Sequence, residues 1–225
     1  MIKAIAIIIG TLAIISIITA FLVGVFGYSI NNDATPIAEK TETVIEEEEE
    51  EEEDKKVETL DIPMKNMLKR ITKKPFGIKV SPNNSSVQPE KFSGFHTGTD
   101  FEIFEDEIEK DIEVKAICDG EIIQKNSVSG YGGVIVQKCQ YENDPITVLY
   151  GHIDLSSSTK ETQIKKGDLI ALLSPANSQE SGFERKHLHL GIIKGNQINY
   201  RGYVQLEEEL SSWINPIIVL QKELR

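Results

Sequence analysis

The sequence predicts a mainly β, antiparallel domain of sandwich or barrel-like build, and three observations carry that expectation. Short segments of β character succeed one another between residues 76 and 193. Turns bearing Gly, Asn, Asp or Pro separate them. One segment, Lys186-His187-Leu188-His189-Leu190-Gly191, interleaves His and Leu with the period of two that a strand imposes. Many short strands broken by turn residues argue for a sandwich or barrel. The chain has 225 residues, and its N-terminal quarter does not read as globular. One domain of about 150 residues is expected, enough for a sizeable core.

The N-terminal quarter divides in two. Ala4 to Asn32 carries no charge, and Ala4 to Gly27 is almost wholly apolar. About 20 such residues span a bilayer. The run is longer than the apolar part of a signal peptide, and neither an Ala-x-Ala pattern nor a Cys for a lipid follows it. Residues 1–30 are therefore expected to form one uncleaved transmembrane helix. Lys3 on one side and acidic residues on the other place the N-terminus in the cytoplasm. The expectation is a single-pass cell-membrane protein whose folded domain lies outside the membrane. Residues 31–60 hold 13 acidic and 3 basic residues, with an unbroken run of Glu from Glu46 to Glu53. Such a run repels itself and has no apolar face to bury, so it reads as an acidic, disordered, flexible linker. Extended, a linker of this kind reaches on the order of 100 Å. The whole-chain net charge of −12 resides mostly there, since residues 61–225 hold 20 basic and 23 acidic residues. No basic face points to nucleic acid.

The folded domain is expected over residues 61–225. Met64, Met67, Leu68 and Ile71 share one face of a short helix. The predicted strands are Phe76–Val80, Asp100–Ile103, Ile112–Cys118, Glu121–Lys125, Val134–Cys139, Ile146–Tyr150, Asp168–Leu173 and His187–Ile193. Ser81-Pro82-Asn83-Asn84, Asp119-Gly120, Gly130-Tyr131-Gly132-Gly133, Lys166-Gly167-Asp168 and Lys194-Gly195-Asn196 mark turns between them. Pro216–Leu224 reads as a closing helix and Trp213 as a core anchor. Cys118 and Cys139 lie on successive strands around a hairpin centred near Ser129. They are either a disulfide or two buried thiols, and the Cα separation decides between these. No C-x-x-C spacing suggests a Cys-held zinc.

All four histidines of the chain fall into three short motifs. His96 and Asp100 stand in His-x-Gly-x-Asp, His152 ends Tyr150-Gly151-His152, and His187 and His189 form His-Leu-His. On a strand, His187 and His189 share a face with Cα atoms roughly 6.5 Å apart. Zinc takes His nitrogens and carboxylate oxygens, and catalytic sites leave a fourth position open. His96, Asp100 and one histidine of the 187/189 pair can supply two neutral ligands and one anionic one. The two remaining histidines can then take a proton from water or steady an oxyanion.

The order of these motifs resembles the lysostaphin/LytM-type zinc endopeptidases, a group of bacterial peptidoglycan hydrolases. The likeness runs from about Gly94 to Pro216. It includes Val114–Gly120, Gly130-Tyr131-Gly132-Gly133, Val148-Leu149-Tyr150-Gly151-His152, Lys166-Gly167-Asp168 and the closing Trp213-Ile214-Asn215-Pro216. The resemblance implies a peptidase domain of the duplicated hybrid motif type, an antiparallel core with a groove for an extended peptide. It implies His96, Asp100 and His189 as ligands of Zn2+ and His152 and His187 as the catalytic pair. It implies peptidoglycan peptide, in stems or cross-bridges, as substrate. Lys186 and Leu190 depart from the family's Pro-His-Leu-His-Phe, and the stretch Asn177–Arg185 is more charged than its usual Ser/Thr/Gly loop. An alternative function is a catalytically inactive peptidoglycan-binding or hydrolase-activating domain, although all five site positions are filled. A metal sensor or carrier is a weaker reading, because a closed site needs no second pair of histidines. Asn83 and Asn84 are candidates, by location upstream of His96, for a segment that occupies an open metal position. The oligomeric state is not legible.

Overall fold

The computed structural model describes residues 59–222, and within them the chain is mainly antiparallel β. The predicted anchor, and all of the predicted linker but its last two residues, lie outside the described residues. Among the described residues no helix is long and apolar enough to cross a membrane. The strands are β1 (Lys79–Val80), β2 (Gly94–His96), β3 (Gly98–Glu102), β4 (Glu113–Lys115), β5 (Gly120–Val128), β6 (Gly132–Tyr141) and β7 (Asp144–Gly151). There follow β8 (Ile153–Asp154), β9 (Gln163–Ile164), β10 (Leu169–Leu173), β11 (His187–Lys194), β12 (Tyr203–Val204) and β13 (Trp213–Ile214). A helix, α1 (Pro216–Lys222), closes the described chain.

The main sheet has the order β13-β11-β7-β6-β5-β9, with β3 on the other part of β11. Two small sheets, β1-β2-β12 and β4-β10-β8, accompany it. The reason for two layers is visible in the side-chain alternation. Leu188, Leu190 and Ile192 of β11, Val148 and Tyr150 of β7 and Ile135 of β6 turn to one face. There they pack with Val114, Ile170, Ala171 and Leu173 of the β4-β10-β8 sheet and with Val219 and Leu220 of α1. The opposite face carries Val134, Val136 and Leu149 in one cluster, and Ile193 with Val204 and Trp213 in another. Trp213 is thus a core anchor, at 4% exposure. Both faces of β11 are buried, so its polar side is an interior site and not a solvated surface.

The long strands sit where hydrophobic alternation placed them, but the N-terminal elements differ. The expected helix through Met64 and Ile71 is only a 3-10 turn, Met67–Arg70, entered through Asn66 in a left-handed conformation. The strand expected over Phe76–Val80 shortens to β1, because Gly77 turns the chain at φ 77°. Cys118 and Cys139 are disulfide-bonded, with Cα atoms 6.1 Å apart. A buried polar relay ties this hairpin to the core. Tyr150 donates to Gln137 (2.8 Å) and accepts from the Ile117 amide (3.0 Å), and Gln137 donates to the Cys118 carbonyl (2.8 Å).

Candidate metal centre

The site is assembled by a corner in the chain. His96 ends β2, in the small sheet, and Gly98 begins β3, in the main sheet. Thr97 makes the corner, held by its amide and hydroxyl to the carbonyls of Gly202 and Arg201 (3.0 and 2.6 Å). His-x-Gly-x-Asp therefore brings two ligand candidates from two sheets to one spot. β3 then pairs with β11 in the register Gly98↔Gly191, Asp100↔His189 and Glu102↔His187. Residues directly opposite on one face are neighbours, so Asp100 and His189 meet.

Close approach demands small residues around His189. A Cβ on Gly98 would stand 2.5 Å from His189 Nε2, and a Cβ on Gly151 would stand 2.6 Å from the Tyr131 ring. A Cβ on Gly202 would stand 2.6 Å from the Tyr131 hydroxyl. The glycines of His-x-Gly-x-Asp and Tyr-Gly-His thus clear space for His189 and the tyrosine against it.

His96, His152 and His187 each have Nδ1 against a backbone carbonyl, which sets the tautomer. His96 Nδ1–H donates to the Pro75 carbonyl (3.2 Å), and His189 Nε2 and the Tyr131 hydroxyl share a hydrogen bond (3.2 Å). His152 Nδ1–H donates to the Ser181 carbonyl (2.9 Å), and His187 Nδ1–H to the Arg185 carbonyl (2.8 Å). The remaining ring nitrogens of His96 and His189 face each other. His96 Nε2 lies 3.0 Å from His189 Nδ1, and Asp100 Oδ1 lies 3.3 and 3.0 Å from these two atoms. Two imidazole nitrogens and a carboxylate oxygen, all buried, converge on one point that a shared proton or a cation can occupy. In a tetrahedral site with ligands at ~2.0–2.1 Å, ligand atoms stand about 3.3 Å from one another. The donor set and its spacing fit zinc.

His152 and His187 form a second pair beside the first, their ring centroids 4.2 Å apart. His187 Nε2 is 3.3 Å from Asp100 Oδ2. Burial, reinforced by the charge of His187, holds the His152 pKa well below the ordinary imidazole value. His189 is pushed down to about 4 by burial, against the hydrogen bond to Asp100. Burial would raise the Asp100 pKa, but the charges of His96 and His187 and hydrogen bonds from His187 and His189 hold it well below the usual carboxylate range. Burial keeps the Tyr131 hydroxyl protonated, and the Asp100 charge adds to this.

The site opens into a cavity of ≈ 240 Å³, lined by Asp100, His152, His187 and His189 and by Phe92, Tyr200 and Tyr203. His96 stays beneath it, fully buried. Besides Phe92, Tyr200 and Tyr203, the residues Lys74, Tyr131 and Arg185 line the cavity with no role assigned from the sequence. Lys74 donates to Tyr203 (3.0 Å) and pairs with Glu90 (2.6 Å). Tyr131 holds His189, and Arg185 holds Asp100 and Glu102. Tyr131 stands in the Gly-Tyr-Gly turn, and Arg185 in the charged stretch that departs from the family pattern, so both had a local signal but no assigned contact. Asn83 and Asn84 are exposed and do not line the cavity.

Residues 94–200, which contain all five site residues, match the model of Peptidase family M23. This segment belongs to peptidase family M23. The likeness to solved structures extends to LytU, at 22% identity and a TM-score of 0.46 over 68% of this chain and 85% of that one. The catalytic domain of the antimicrobial peptidase lysostaphin from Staphylococcus simulans is 19% identical, with a TM-score of 0.46 over 68% of this chain and 95% of that one. A chain of the SpoIIQ-SpoIIIAH pore forming complex is 15% identical, with a TM-score of 0.46 over 73% and 92%. No curated protein matches the chain. The M23 segment ends before β12, β13 and α1, so Tyr203 comes from outside it.

Proposed function

We propose that the chain is a zinc-dependent endopeptidase, anchored in the cell membrane by residues 1–30 and spaced from it by residues 31–60. Its substrate is peptide in peptidoglycan stems or cross-bridges. The observation that carries this reading is the convergence of His96 Nε2, His189 Nδ1 and Asp100 Oδ1, beside a second histidine pair, in a segment of the M23 family.

His96, Asp100 and His189 would hold the ion. Bound there, zinc supplies Lewis acidity toward a carbonyl oxygen and toward water. The protein's own part is proton handling and positioning. His152 is kept neutral by burial, and its Nδ1–H is occupied by Ser181, so Nε2 offers a lone pair. His187 is held in the same tautomer by the Arg185 carbonyl. One of these Nε2 atoms takes the proton of the attacking water and returns it to the leaving amine. The other, when it carries a second proton on Nε2 taken from solvent, donates to the oxyanion that forms as water adds to the carbonyl. Phe92, Tyr200 and Tyr203 give the cavity an aromatic wall against which a peptide can lie.

The test is release of peptide from purified peptidoglycan, read by mass analysis of muropeptides before and after digestion, together with zinc content. His189→Ala is expected to lose both zinc and release. His187→Ala is expected to keep zinc and lose release by about 10²–10⁴-fold, the range for a positioned acid or base. Full zinc and full turnover in both variants would overturn the assignment. A wild-type chain that binds zinc and the wall but releases nothing would instead be a wall-binding or hydrolase-activating domain.

A further inference from the structure

Arg185 touches both halves of the site. Its Nε and Nη2 grip Glu102 (3.0, 3.0 and 2.6 Å), and Nη2 also donates to Asp100 Oδ2 at 2.7 Å. Oδ2 is the oxygen of Asp100 that faces away from the triangle made with His96 and His189. The same residue's carbonyl accepts the Nδ1–H of His187. His187 Nε2, 3.3 Å from Oδ2, competes for that oxygen, and the guanidinium is the closer partner. A guanidinium is not deprotonated in a protein, so the competitor is always a cation.

The consequence follows from carboxylate chemistry. A carboxylate with both oxygens free can offer a metal one or two ligands, and can capture a nearby imidazolium as an ion pair. A guanidinium fork fixed on a second carboxylate removes both options, because its planar geometry is rigid and always charged. Glu102 is that second carboxylate, two residues along β3 on the same face as Asp100. We infer that Arg185 is a positioning residue of this site: it restricts Asp100 to Oδ1 toward the metal and leaves His187 Nε2 free for proton transfer. The inference rests on the zinc reading proposed above. It concerns the stretch Asn177–Arg185, where this sequence is more charged than its family, so it is a property of this chain's own loop.

The experiment uses the full-length chain in detergent solution, as wild type, Arg185→Met, Arg185→Lys and Asp100→Ala. Three quantities are read: zinc affinity by competition with a chelating dye, the visible absorption of the Co(II)-substituted protein, and kcat and KM on peptidoglycan peptide. Arg185→Met is expected to weaken zinc binding by about 10–100-fold, the usual effect of removing a partner that orients a ligand. Its cobalt bands should change intensity as Asp100 gains a second coordinating oxygen, and kcat should fall more than KM rises. Arg185→Lys keeps the charge without the fork and should recover part of the affinity but not the wild-type spectrum. Wild-type zinc affinity and cobalt spectrum in both variants would overturn the inference. Should Arg185→Met fail to fold, Arg185→Lys decides by the same two readouts. If the wild type binds no zinc, or Asp100→Ala binds it as tightly as wild type, the zinc reading fails and takes this inference with it. If Asp100→Ala loses zinc while the Arg185 variants do not, only this inference falls.

Discussion

His152 occupies backbone that side-chain-bearing residues avoid, with φ at 63°. In that region Cβ crowds the following carbonyl, at a cost of roughly 1–2 kcal/mol for any residue but Gly. The conformation persists because its surroundings hold it. The His152 carbonyl accepts both the amide and the hydroxyl of Ser174 (3.0 and 2.8 Å), and the ring is tied to Ser181. The reversal of φ breaks the alternation between β7 and β8 and turns the imidazole toward His187. This strain is testable apart from chemistry. His152→Ala and His152→Gly both remove the ring and are expected to be inactive. Yet the Gly variant should be more stable than the Ala variant by about 1 kcal/mol, because Gly alone adopts positive φ without penalty. Urea midpoints measure the difference, and an Ala variant as stable as the Gly variant would show that this backbone stores no strain. At this scale the sequence revealed residue types better than contacts. His96, Asp100, His152, His187 and His189 were legible because few side chains bind metals and all four histidines lay in short motifs. Arg185 and Tyr131 were not, because a long side chain's target depends on the loop that carries it, and nothing local encodes positive φ at a histidine.

Among the elements, the pairing of β3 with β11 sets the site, while the segments that brace it are short and irregular. The 3-10 turn Met67–Arg70 is fastened to the chain after β3 by one buried fork. Arg70, 4% exposed, meets Glu107 through two hydrogen bonds of 2.6 and 2.8 Å and lies 4.1 Å over the Phe104 ring. The same guanidinium donates to the carbonyls of Lys65 and Glu102. The Arg70 hydrogen bonds, with help from the Phe104 amide, lower the Glu107 pKa from its ordinary 4.5 to about 2. A carboxyl depressed in the folded state stabilises the fold fully above its unfolded value. That contribution is lost as pH falls from 4.5 through about 2. Glu107→Gln should therefore cost about 2 kcal/mol near neutral pH, the scale of hydrogen bonds to charged groups. The gap between wild type and variant should narrow through the same acid window and vanish below it. Thermal or urea melts at a series of pH values would show this, and a gap independent of pH between 6 and ~2 would refute it. The disulfide acts on a different element, the β5–β6 hairpin. Closing a loop with a sequence separation of 21 stabilises the fold by about 3 kcal/mol through the unfolded chain.

Across the whole molecule, the readable part was the regular part. β5, β6, β7 and β11 are eight to ten residues long, enough for alternation to show, and they form the centre of the main sheet. β2, β12 and β13 have two or three residues each, too few to carry a period; β2 and β12 join β1 in the small sheet, and β13 edges the main sheet beside β11. The helix expected near Met64 failed for a related reason. Met64 and Met67 are buried, at 2% exposure each, as parts of a strap that docks on the core instead of as one face of a helix. The strap is stitched in by the Asp61 amide to the Ile117 carbonyl (2.7 Å) and by the Lys115 amide to the Pro63 carbonyl (3.0 Å). Leu60 is equally buried. Among the described residues, the buried core begins at Leu60. A chain beginning at Thr59 should melt at the temperature of the full-length protein and keep its metal affinity. One beginning at Thr72 loses Leu60, Met64, Met67 and Arg70. Three buried apolar side chains at roughly 2 kcal/mol each amount to about 6 kcal/mol, a large share of the ~5–15 kcal/mol that holds a domain folded. At about 2–4 °C per kcal/mol, its melting temperature should fall by roughly 15–20 °C or the fold should be lost. If both truncated chains melted together, the strap would be an appendage to the domain and not part of its core.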